Sequence, residues 1–234
     1  MSNTKLSPGI VSSRLSKEDY LNNFSDAYPG FTNYEAKVEA DRCYFCYDAP
    51  CISACPTEIN IPLFIRQIST EMEEEAAKTI FDQNILGGMC ARVCPTETLC
   101  EEACVREAAE GKPVKIGRLQ RYATDSIMEK NIHPYTRNES NGKKIAVIGS
   151  GPAGLACSHR LAMLGYNVEI YETKNKPGGL NEYGIATYKS VDDFASKEIE
   201  WLLKIGGIQI NYNKTLGKDF SIDELRKSYD AIFI

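Results

Sequence analysis

Eight cysteines, gathered in two short runs, are the residues of this sequence whose type and spacing best suit chemistry. The two runs, each with one Cys-Pro pair, are Cys43-x2-Cys46-x4-Cys51-x3-Cys55-Pro56 and Cys90-x3-Cys94-Pro95-x4-Cys100-x3-Cys104. Closely spaced thiolates can hold an iron–sulfur cluster, and in ferredoxin-type runs the cysteine before proline ligates the other of two clusters. We therefore predict two [4Fe–4S] clusters whose ligands are exchanged between the runs.

Spacing alone divides the eight cysteines into two sets of four. They are Cys43, Cys46, Cys51 and Cys104 for one cluster, and Cys55, Cys90, Cys94 and Cys100 for the other. Structural zinc is an alternative, but it prefers compact pairs and often a histidine, and His133 and His159 lie outside the runs. Disulfides are rare in a reducing cytoplasm, and buried cysteines without a ligand role have no reason to cluster.

A glycine-rich turn is the second chemical signal. The buried-strand pattern Lys144–Ile148 runs directly into Gly149-Ser150-Gly151-Pro152-Ala153-Gly154, and a helical pattern follows. This is the G-x-G-x-x-G fingerprint in its strand–turn–helix context, where the glycines let backbone amides and a helix N-terminus approach a pyrophosphate. A second strand, Asn167–Tyr171, leads to Glu172, which is placed to accept a ribose hydroxyl. The sequence therefore predicts a dinucleotide site.

One loop and two single residues of this second region have either a packing or a binding interpretation. A Gly pair often marks a simple turn, but we expect the loop Pro177–Leu180, with Gly179 and Leu180, to return to the nucleotide face and approach the cofactor. Cys157, on the helix after the turn, is interpreted as a small packing residue. Trp201, the only tryptophan, is likewise interpreted as packing.

The elements that must position these residues form two units. Residues 1–140 carry helical patterns around the cysteines, and residues 141–234 alternate short strands with helices. The polar stretch 131–144, which contains proline and glycine and shows no periodicity, has the composition of a linker. The predicted fold class is α + α/β, with an N-terminal helical iron–sulfur domain followed by an incomplete Rossmann-like domain.

Caps and apolar spacing predict five helices in the first unit. Ser16 with Asp19 matches a capping box, Asn33 is a candidate cap for a second helix, and Pro62 suits the first turn of a third. Apolar residues at helical spacing predict two more, around residues 76–81 and 119–127.

The second unit continues as a βαβ series. We predict a helix over Val191–Ile205, a strand over Ile208–Tyr212, a short helix capped by Ser221 and a buried strand that begins at Ala231–Ile234. Because a doubly wound sheet rarely stops inside a buried strand, we expect the sequence to be a fragment. On this interpretation it keeps its natural Met1 start and is truncated at its C-terminus.

Composition limits the class of protein. The chain has 234 residues, 43% of them hydrophobic and 25% charged, as in ordinary globular proteins. Its net charge of −5 argues against a nucleic-acid partner. The sequence contains neither an apolar run of the roughly 20 residues that span a bilayer nor the apolar core of a secretory signal. We therefore expect no membrane association and a cytoplasmic location.

From about Asn33 onward, these features in this order resemble a known family. It comprises the glutamate synthase small subunit and the N-terminal half of dihydropyrimidine dehydrogenase. Within it, the sequence is more similar to the small subunit of bacterial NAD-dependent dihydropyrimidine dehydrogenase. The stretches that carry this similarity are Arg42–Thr57, Asn84–Glu101 and Gly117–Ser126.

The resemblance implies a ligand set that differs from the spacing-only one at a single position. One cluster would be held by Cys43, Cys46, Cys51 and Cys104, and the other by Cys55, Cys94, Cys100 and Gln120. Gln120 would replace a thiolate and Cys90 would be a bystander. The Rossmann-like domain would bind FAD, with contacts from Gly149, Ser150, Gly151, Pro152, Ala153, Gly154, Glu172, Gly179, Leu180, Lys189 and Leu216.

The resemblance also implies a function. Electrons would pass from NAD(H) or NADP(H), bound by a domain that follows the end of this sequence, through FAD and two [4Fe–4S] clusters. They would reach a partner subunit that carries FMN and further clusters and reduces uracil or thymine at the 5,6 double bond, in a hetero-oligomer. No residue of this chain would act as a catalytic acid or base. The alternatives are a glutamate synthase-type subunit, another flavin and iron–sulfur electron-transfer subunit, or a non-catalytic zinc-binding interaction domain.

Overall fold

The computed structural model describes residues 15–234. Helices surround the two cysteine runs in the first part of the chain, and a parallel sheet with helices forms the second part. None of the helices in the described range is both long and apolar enough to cross a membrane.

Short helices build the first part, because the cysteine runs and their prolines repeatedly interrupt the chain. Within residues 15–140, the helices are α1 (Lys17–Asn23), α2 (Asn33–Ala40), α3 (Pro50–Ser53), α4 (Ile61–Ser69), α5 (Glu73–Gln83), α6 (Gly87–Val93), α7 (Val105–Glu110) and α8 (Ile116–Glu129). Their apolar faces meet in one core that includes Phe64, Ile80 and Leu119, all of them fully buried. This core fixes the helices between which the cysteines lie.

A four-stranded parallel sheet forms the second part. Its elements are β1 (Lys144–Ile148), α9 (Pro152–Met163), β2 (Asn167–Tyr171), α10 (Leu180–Tyr183), α11 (Phe194–Leu203), β3 (Ile208–Asn211), α12 (Ile222–Ser228) and β4 (Ala231–Phe233). The strand order β3-β2-β1-β4 places β1 at the centre. Val147, Val168 and Ile170 are fully buried or nearly so. Because the glycine-rich turn follows β1, it opens at the carboxyl edge of the parallel sheet. This is the Rossmann-like arrangement that the sequence predicts.

The structure corrects two predicted helix starts and confirms two others. The cap of α2 is Thr32, which forms a capping box with Glu35, and Asn33 is instead the first helical residue. Helix α11 begins at Phe194 rather than at Val191, because Asp192 and Asp193 have φ of 59° and 54°, outside the helical region. The capping boxes of α1 at Ser16 and of α12 at Ser221 are confirmed.

The last strand also differs from its prediction. β4 pairs only with β1, so it lies at the edge of the sheet rather than inside it. Phe233 is 37% exposed and Ile234 is 75% exposed. The apolar sequence of this strand therefore does not mean burial within the described residues.

The stretch between the two parts has no helix or strand, but it is packed rather than extended. The Trp201 indole donates to the carbonyl of Ile132 at 2.8 Å, and the Tyr135 hydroxyl donates to Asp82 at 2.7 Å. Arg137 donates to the side chain of Asn167 at 2.7 Å. The predicted linker thus joins α5 to the sheet through side-chain contacts that composition alone does not reveal.

Candidate functional site

Four cysteines surround one cavity of the helical part. Cys43, Cys46, Cys51 and Cys104, which we call the first thiol set, line it together with apolar side chains. Those side chains come from the start of α4 and from the segment before α8, and they include Ile61, Ile65, Val114 and Ile116. The structure therefore brings together the four cysteines that both the spacing and the resemblance assign to one cluster.

Burial dominates the electrostatics of two thiols in the first thiol set, although the charge of Arg106, which also lines the cavity, partly offsets it at Cys43. Burial, followed by repulsion from Cys104 and Cys46, raises the pKa of Cys43. Burial and repulsion from Cys43 and Cys104 raise the pKa of Cys51 to about 12. Both shifts oppose the thiolate form of Cys43 and Cys51, whereas a group that contains iron would compensate the negative charge and displace the protons. This donor chemistry fits a cluster.

Cys55, Cys94 and Cys100 form a second thiol set beside the first. Burial, then the charges of Glu101 and Cys55, raise the pKa of Cys100 to about 12, and Cys51 of the first set contributes in the same direction. The pKa of Cys94 is raised by its hydrogen bond with Cys90, by burial and by repulsion from Cys100 and Cys55. The two sets are therefore electrostatic neighbours.

Cys90 and Gln120, the two candidates for the fourth ligand of the second cluster, both lie next to the second thiol set. The hydrogen bond with Cys94 lowers the pKa of Cys90, and contacts with the side chains of Gln120 and Asn84 act in the same direction. Gln120 is only 6% exposed, and its Nε2 donates to the Gly87 carbonyl at 2.8 Å. Proximity alone thus leaves both Cys90 and Gln120 as candidates.

A single metal ion suits this arrangement less well than a cluster. Zinc needs ligand atoms within about 2.0–2.3 Å of one point. Across residues 15–234, no three side chains of histidine, cysteine, aspartate or glutamate are grouped in a way that could hold one ion. All nine cysteines lie within this range, and all are free thiols. The thiols surround a volume instead of converging on a point.

The glycine-rich turn has the geometry of a nucleotide-binding turn. Gly149 has φ of 91°, which only glycine adopts without strain. A Cβ at Gly154 would lie 2.0 Å from the Gly149 carbonyl oxygen, so helix α9 can approach the turn only with glycine there. Gly151 begins the approach to α9, and a Cβ at this residue would meet no atom within 4 Å. That open space lies where a pyrophosphate would contact the backbone.

The loop with the Gly pair returns to this turn, as the sequence predicts. The Gly178 amide donates to the Ser150 carbonyl at 2.8 Å. Gly179 has φ of 53°, and a Cβ there would lie 2.8 Å from the Gly151 Cα. Close backbone approach therefore requires glycine at position 179, and a φ of 117° requires it at position 178. Leu180, which begins α10, is 66% exposed beside them.

Glu172 is bound to the turn itself. Its Oε2 accepts from the Ser150 amide at 2.9 Å and from the Ser150 hydroxyl, and its Oε1 accepts from the Lys174 amide at 2.8 Å. Burial opposes ionisation, but these hydrogen bonds outweigh it and hold the pKa of Glu172 below its usual range. The residue is thus a charged acceptor that also orients the turn, a second role that the sequence does not reveal.

The remaining predicted contact residues lie around this turn or further from it. Pro152 and Ala153 are exposed at the start of α9. Leu216 follows the segment in which the Lys214 amide donates to the Glu172 carbonyl at 2.9 Å. Lys189 lies between α10 and α11, next to Ser190, whose hydroxyl contacts the Met89 sulfur at 3.3 Å. Lys189 therefore lies where the sheet part meets the helical part.

A joint between α6 and α11 was missed by the sequence analysis. Glu198 of α11 is completely buried, and its Oε1 accepts from the amides of Gly88 and Met89 at 2.8 and 3.0 Å. Arg92 of α6 forms two hydrogen bonds to Asp125, at 2.9 and 2.8 Å, and its guanidinium lies 3.3 Å from the centre of the Phe194 ring. The only feature of the sequence that could have indicated this contact is a glutamate at an inward position of a predicted helix.

Two family models match the helical part and the sheet part of the chain separately. Residues 20–132 match the family described as dihydropyrimidine dehydrogenase domain II, 4Fe-4S cluster, and residues 147–190 match the NAD(P)-binding Rossmann-like domain. The chain is 39% identical over 220 residues to a homolog of the NAD-dependent dihydropyrimidine dehydrogenase subunit PreT from Salmonella typhi, which covers 94% of this chain and 52% of that protein. It is 37% identical over 220 residues, with the same coverage, to the PreT subunit of Escherichia coli K12.

A further relative is similar over nearly the same range of this chain. The small chain of NADPH glutamate synthase from Escherichia coli K12 is 34% identical over 212 residues, which are 90% of this chain and 44% of that protein. The chain thus spans about half the length of the curated relatives it matches. Similarity along nearly the whole chain and the domain II match confirm the resemblance seen in the sequence: the chain is similar to the PreT subunits of NAD-dependent dihydropyrimidine dehydrogenase and to the small chain of NADPH glutamate synthase.

Proposed function

We propose that this protein is the electron-input subunit of an NAD(P)H-dependent oxidoreductase. Electrons pass from NAD(P)H through FAD and two [4Fe–4S] clusters to a partner subunit, which reduces uracil or thymine to the 5,6-dihydropyrimidine. The observation that carries this proposal is the arrangement of the thiols: two neighbouring sets, one of them at the end of a helix that contacts the nucleotide-binding part.

The first cluster is held by Cys43, Cys46, Cys51 and Cys104, and the second by Cys55, Cys94, Cys100 and Gln120. The hydrogen bond from Gln120 Nε2 to the Gly87 carbonyl supports this choice, because it leaves Oε1 as the amide atom available to iron. A neutral amide in place of a thiolate makes the site less negative, so it changes the reduction potential of the second cluster.

The glycine-rich turn binds FAD rather than NAD(P). Bound flavin and clusters supply the redox chemistry, because flavin takes an electron pair as hydride and iron–sulfur clusters take electrons singly. The amides at Gly151 and the start of α9 receive the pyrophosphate, and Glu172 accepts a ribose hydroxyl. Gly179 and Leu180 flank the cofactor, and Lys189 and Leu216 complete its binding site.

The final acceptor follows from the names of the relatives. PreT is a subunit of a dihydropyrimidine dehydrogenase, and we infer a hetero-oligomer with a catalytic subunit that carries FMN and iron–sulfur clusters. The similarity to the glutamate synthase small chain supports the alternative, in which the same electron-input module serves another acceptor. Co-purification from the native host identifies the partner and separates these two.

Metal and flavin analysis of protein purified without oxygen tests the core of the proposal. We expect about eight irons per chain, no stoichiometric zinc, and FAD as the nucleotide released on denaturation. Four irons per chain would reject the two-cluster arrangement, and stoichiometric zinc would favour an interaction domain. Release of NAD(P) instead of FAD would show that the turn serves the nicotinamide cofactor.

A further inference from the structure

The peptide unit between Gly87 and Gly88 has a hydrogen-bond partner at each end. Its carbonyl accepts from Gln120 Nε2 at 2.8 Å, and its amide donates to Glu198 Oε1, also at 2.8 Å. The next amide, that of Met89, donates to the same oxygen at 3.0 Å. A continuous chain of hydrogen bonds therefore runs from α11 of the sheet part, through one peptide of α6, to the side chain of Gln120.

This chain is enclosed on every side. Gly87, Gly88, Gln120 and Glu198 are all buried. A Cβ at Gly88 would lie 2.7 Å from the ring of Phe194 and 2.8 Å from Glu198 Oε1, and a Cβ at Gly87 would lie 2.6 Å from a methyl group of Ile80. Two consecutive glycines thus permit an approach that any larger residue would prevent.

Glu198 has a structural role, because it accepts from two amides in the first turn of α6 that have no partner within the helix. Its second oxygen, Oε2, is buried and has no hydrogen-bond partner among the described residues. A buried polar atom without a partner costs roughly 1–3 kcal/mol, and an apolar side chain would avoid that cost at Oε2 but would leave the two amides without an acceptor. In a medium of low polarity, however, hydrogen bonds linked through one peptide polarise and strengthen one another. Glu198 therefore strengthens the acceptor that holds the Gln120 amide.

We propose that Glu198 is a positioning residue for the second cluster. Through the Gly87–Gly88 peptide it fixes the orientation of the Gln120 amide, which leaves Oε1 as the atom that would bind iron, and it fixes the helix that leads to Cys94. This inference rests on the proposed function, since it takes Gln120 as a ligand. It assigns to the nucleotide-binding part a direct influence on the environment of the cluster.

Three variants of the complete protein, prepared without oxygen, test the proposal. Glu198→Ala removes the acceptor of both amides, Glu198→Gln keeps an oxygen in the same place, and Glu200→Ala, at an exposed position of α11, is the matched control. We expect Glu198→Ala to shift or abolish the electron paramagnetic resonance signal of the second cluster and to leave that of the first unchanged. Glu198→Gln should restore the signal, and Glu200→Ala should match the wild type.

A double-variant comparison separates positioning from general packing. Gln120→Cys supplies a thiolate whose ligation does not depend on an amide orientation. The effect of Glu198→Ala should therefore be smaller in the Gln120→Cys background than in the wild type. If Glu198→Ala yields no soluble protein, Glu198→Asp, which withdraws the carboxyl by one methylene, should give the same selective shift.

The outcomes distinguish this inference from the proposed function. Wild-type protein that lacks eight irons rejects the proposed function, whatever the variants do. Wild-type protein with two clusters, combined with variants whose two signals stay at the wild-type g values and potentials, rejects the role of Glu198 alone. Equal loss of both signals in Glu198→Ala that Glu198→Gln does not restore would also reject it, since that pattern indicates only a packing defect.

Discussion

Gly151→Ala separates ligand contact from folding at the glycine-rich turn. In the structure Gly151 has φ of −72°, which alanine adopts freely, and an added Cβ would meet no protein atom within 4 Å. The substitution is therefore expected to leave the folded protein undisturbed. The methyl group would instead occupy the space through which the pyrophosphate of FAD approaches the backbone.

The whole cost should therefore appear in the binding of the nucleotide. Inserting a methyl group into a closely packed contact costs about 1–3 kcal/mol, which corresponds to roughly 5- to 150-fold weaker FAD binding. Gly154→Ala differs, because its Cβ would lie 2.0 Å from the Gly149 carbonyl oxygen and would force α9 away from the turn. It should weaken FAD binding and also lower the unfolding temperature.

Fluorescence titration of flavin-depleted protein with FAD measures the dissociation constant, and thermal unfolding of the same samples measures stability. Gly30→Ala is a suitable control, since the nearest atom to its Cβ would be 3.8 Å away, in the Arg121 side chain. Wild-type FAD affinity in Gly151→Ala would refute the placement of the pyrophosphate. A loss of stability equal to that of Gly154→Ala would refute the claim that the space at Gly151 is open.

Three further outcomes are expected. Cys90→Ser should keep both paramagnetic signals of the reduced protein, whereas Gln120→Ala should alter one and slow electron delivery from NADH; the reverse pattern would establish an all-cysteine second cluster. Glu172→Ala should lower FAD content and leave iron unchanged, and undiminished FAD would exclude the ribose contact. Burial raises the pKa of Glu198 from 4.5 to about 8. Between these two pH values the folded state therefore retains a proton that the unfolded chain releases. The free energy of unfolding of the wild type should fall across this pH range by roughly 5 kcal/mol. The unfolding temperature of Glu198→Gln should therefore rise relative to that of the wild type as the pH increases from about 5 to 8. A difference in unfolding temperature that stays constant over this range would contradict the expectation.

The cysteine spacing predicted the first thiol set because its ligand types and sequence separations are local properties. Three of its members lie within nine residues, and only Cys104 arrives from a distance. The glycine-rich turn was equally accessible, since the φ of Gly149 and the close approach at Gly154 are local demands. In both cases most of the chemistry is encoded in one continuous stretch.

Contacts between the two parts of the chain could not be predicted in the same way. Glu198 occupies an inward position of α11, where periodicity predicts an apolar residue, and its partners are backbone amides 110 and 109 residues away. Residues 131–144 have the composition of a linker, yet Ile132 and Tyr135 pack between α5 and α11. Backbone partners leave no trace in side-chain patterns, so only coordinates reveal them.

The same contacts bear on the order of electron transfer in the proposed function. The second thiol set adjoins the first through Cys51 and Cys100, and it adjoins the nucleotide-binding part through α6 and Glu198. No comparable contact links the first thiol set to the sheet within residues 15–234, since its cavity is lined only by residues of the helical part. In the proposed function, electrons from a flavin at the glycine-rich turn would therefore reach the second cluster before the first. A ligand that tunes the potential of the second cluster, as Gln120 does in our proposal, consequently controls the entry step of the whole path.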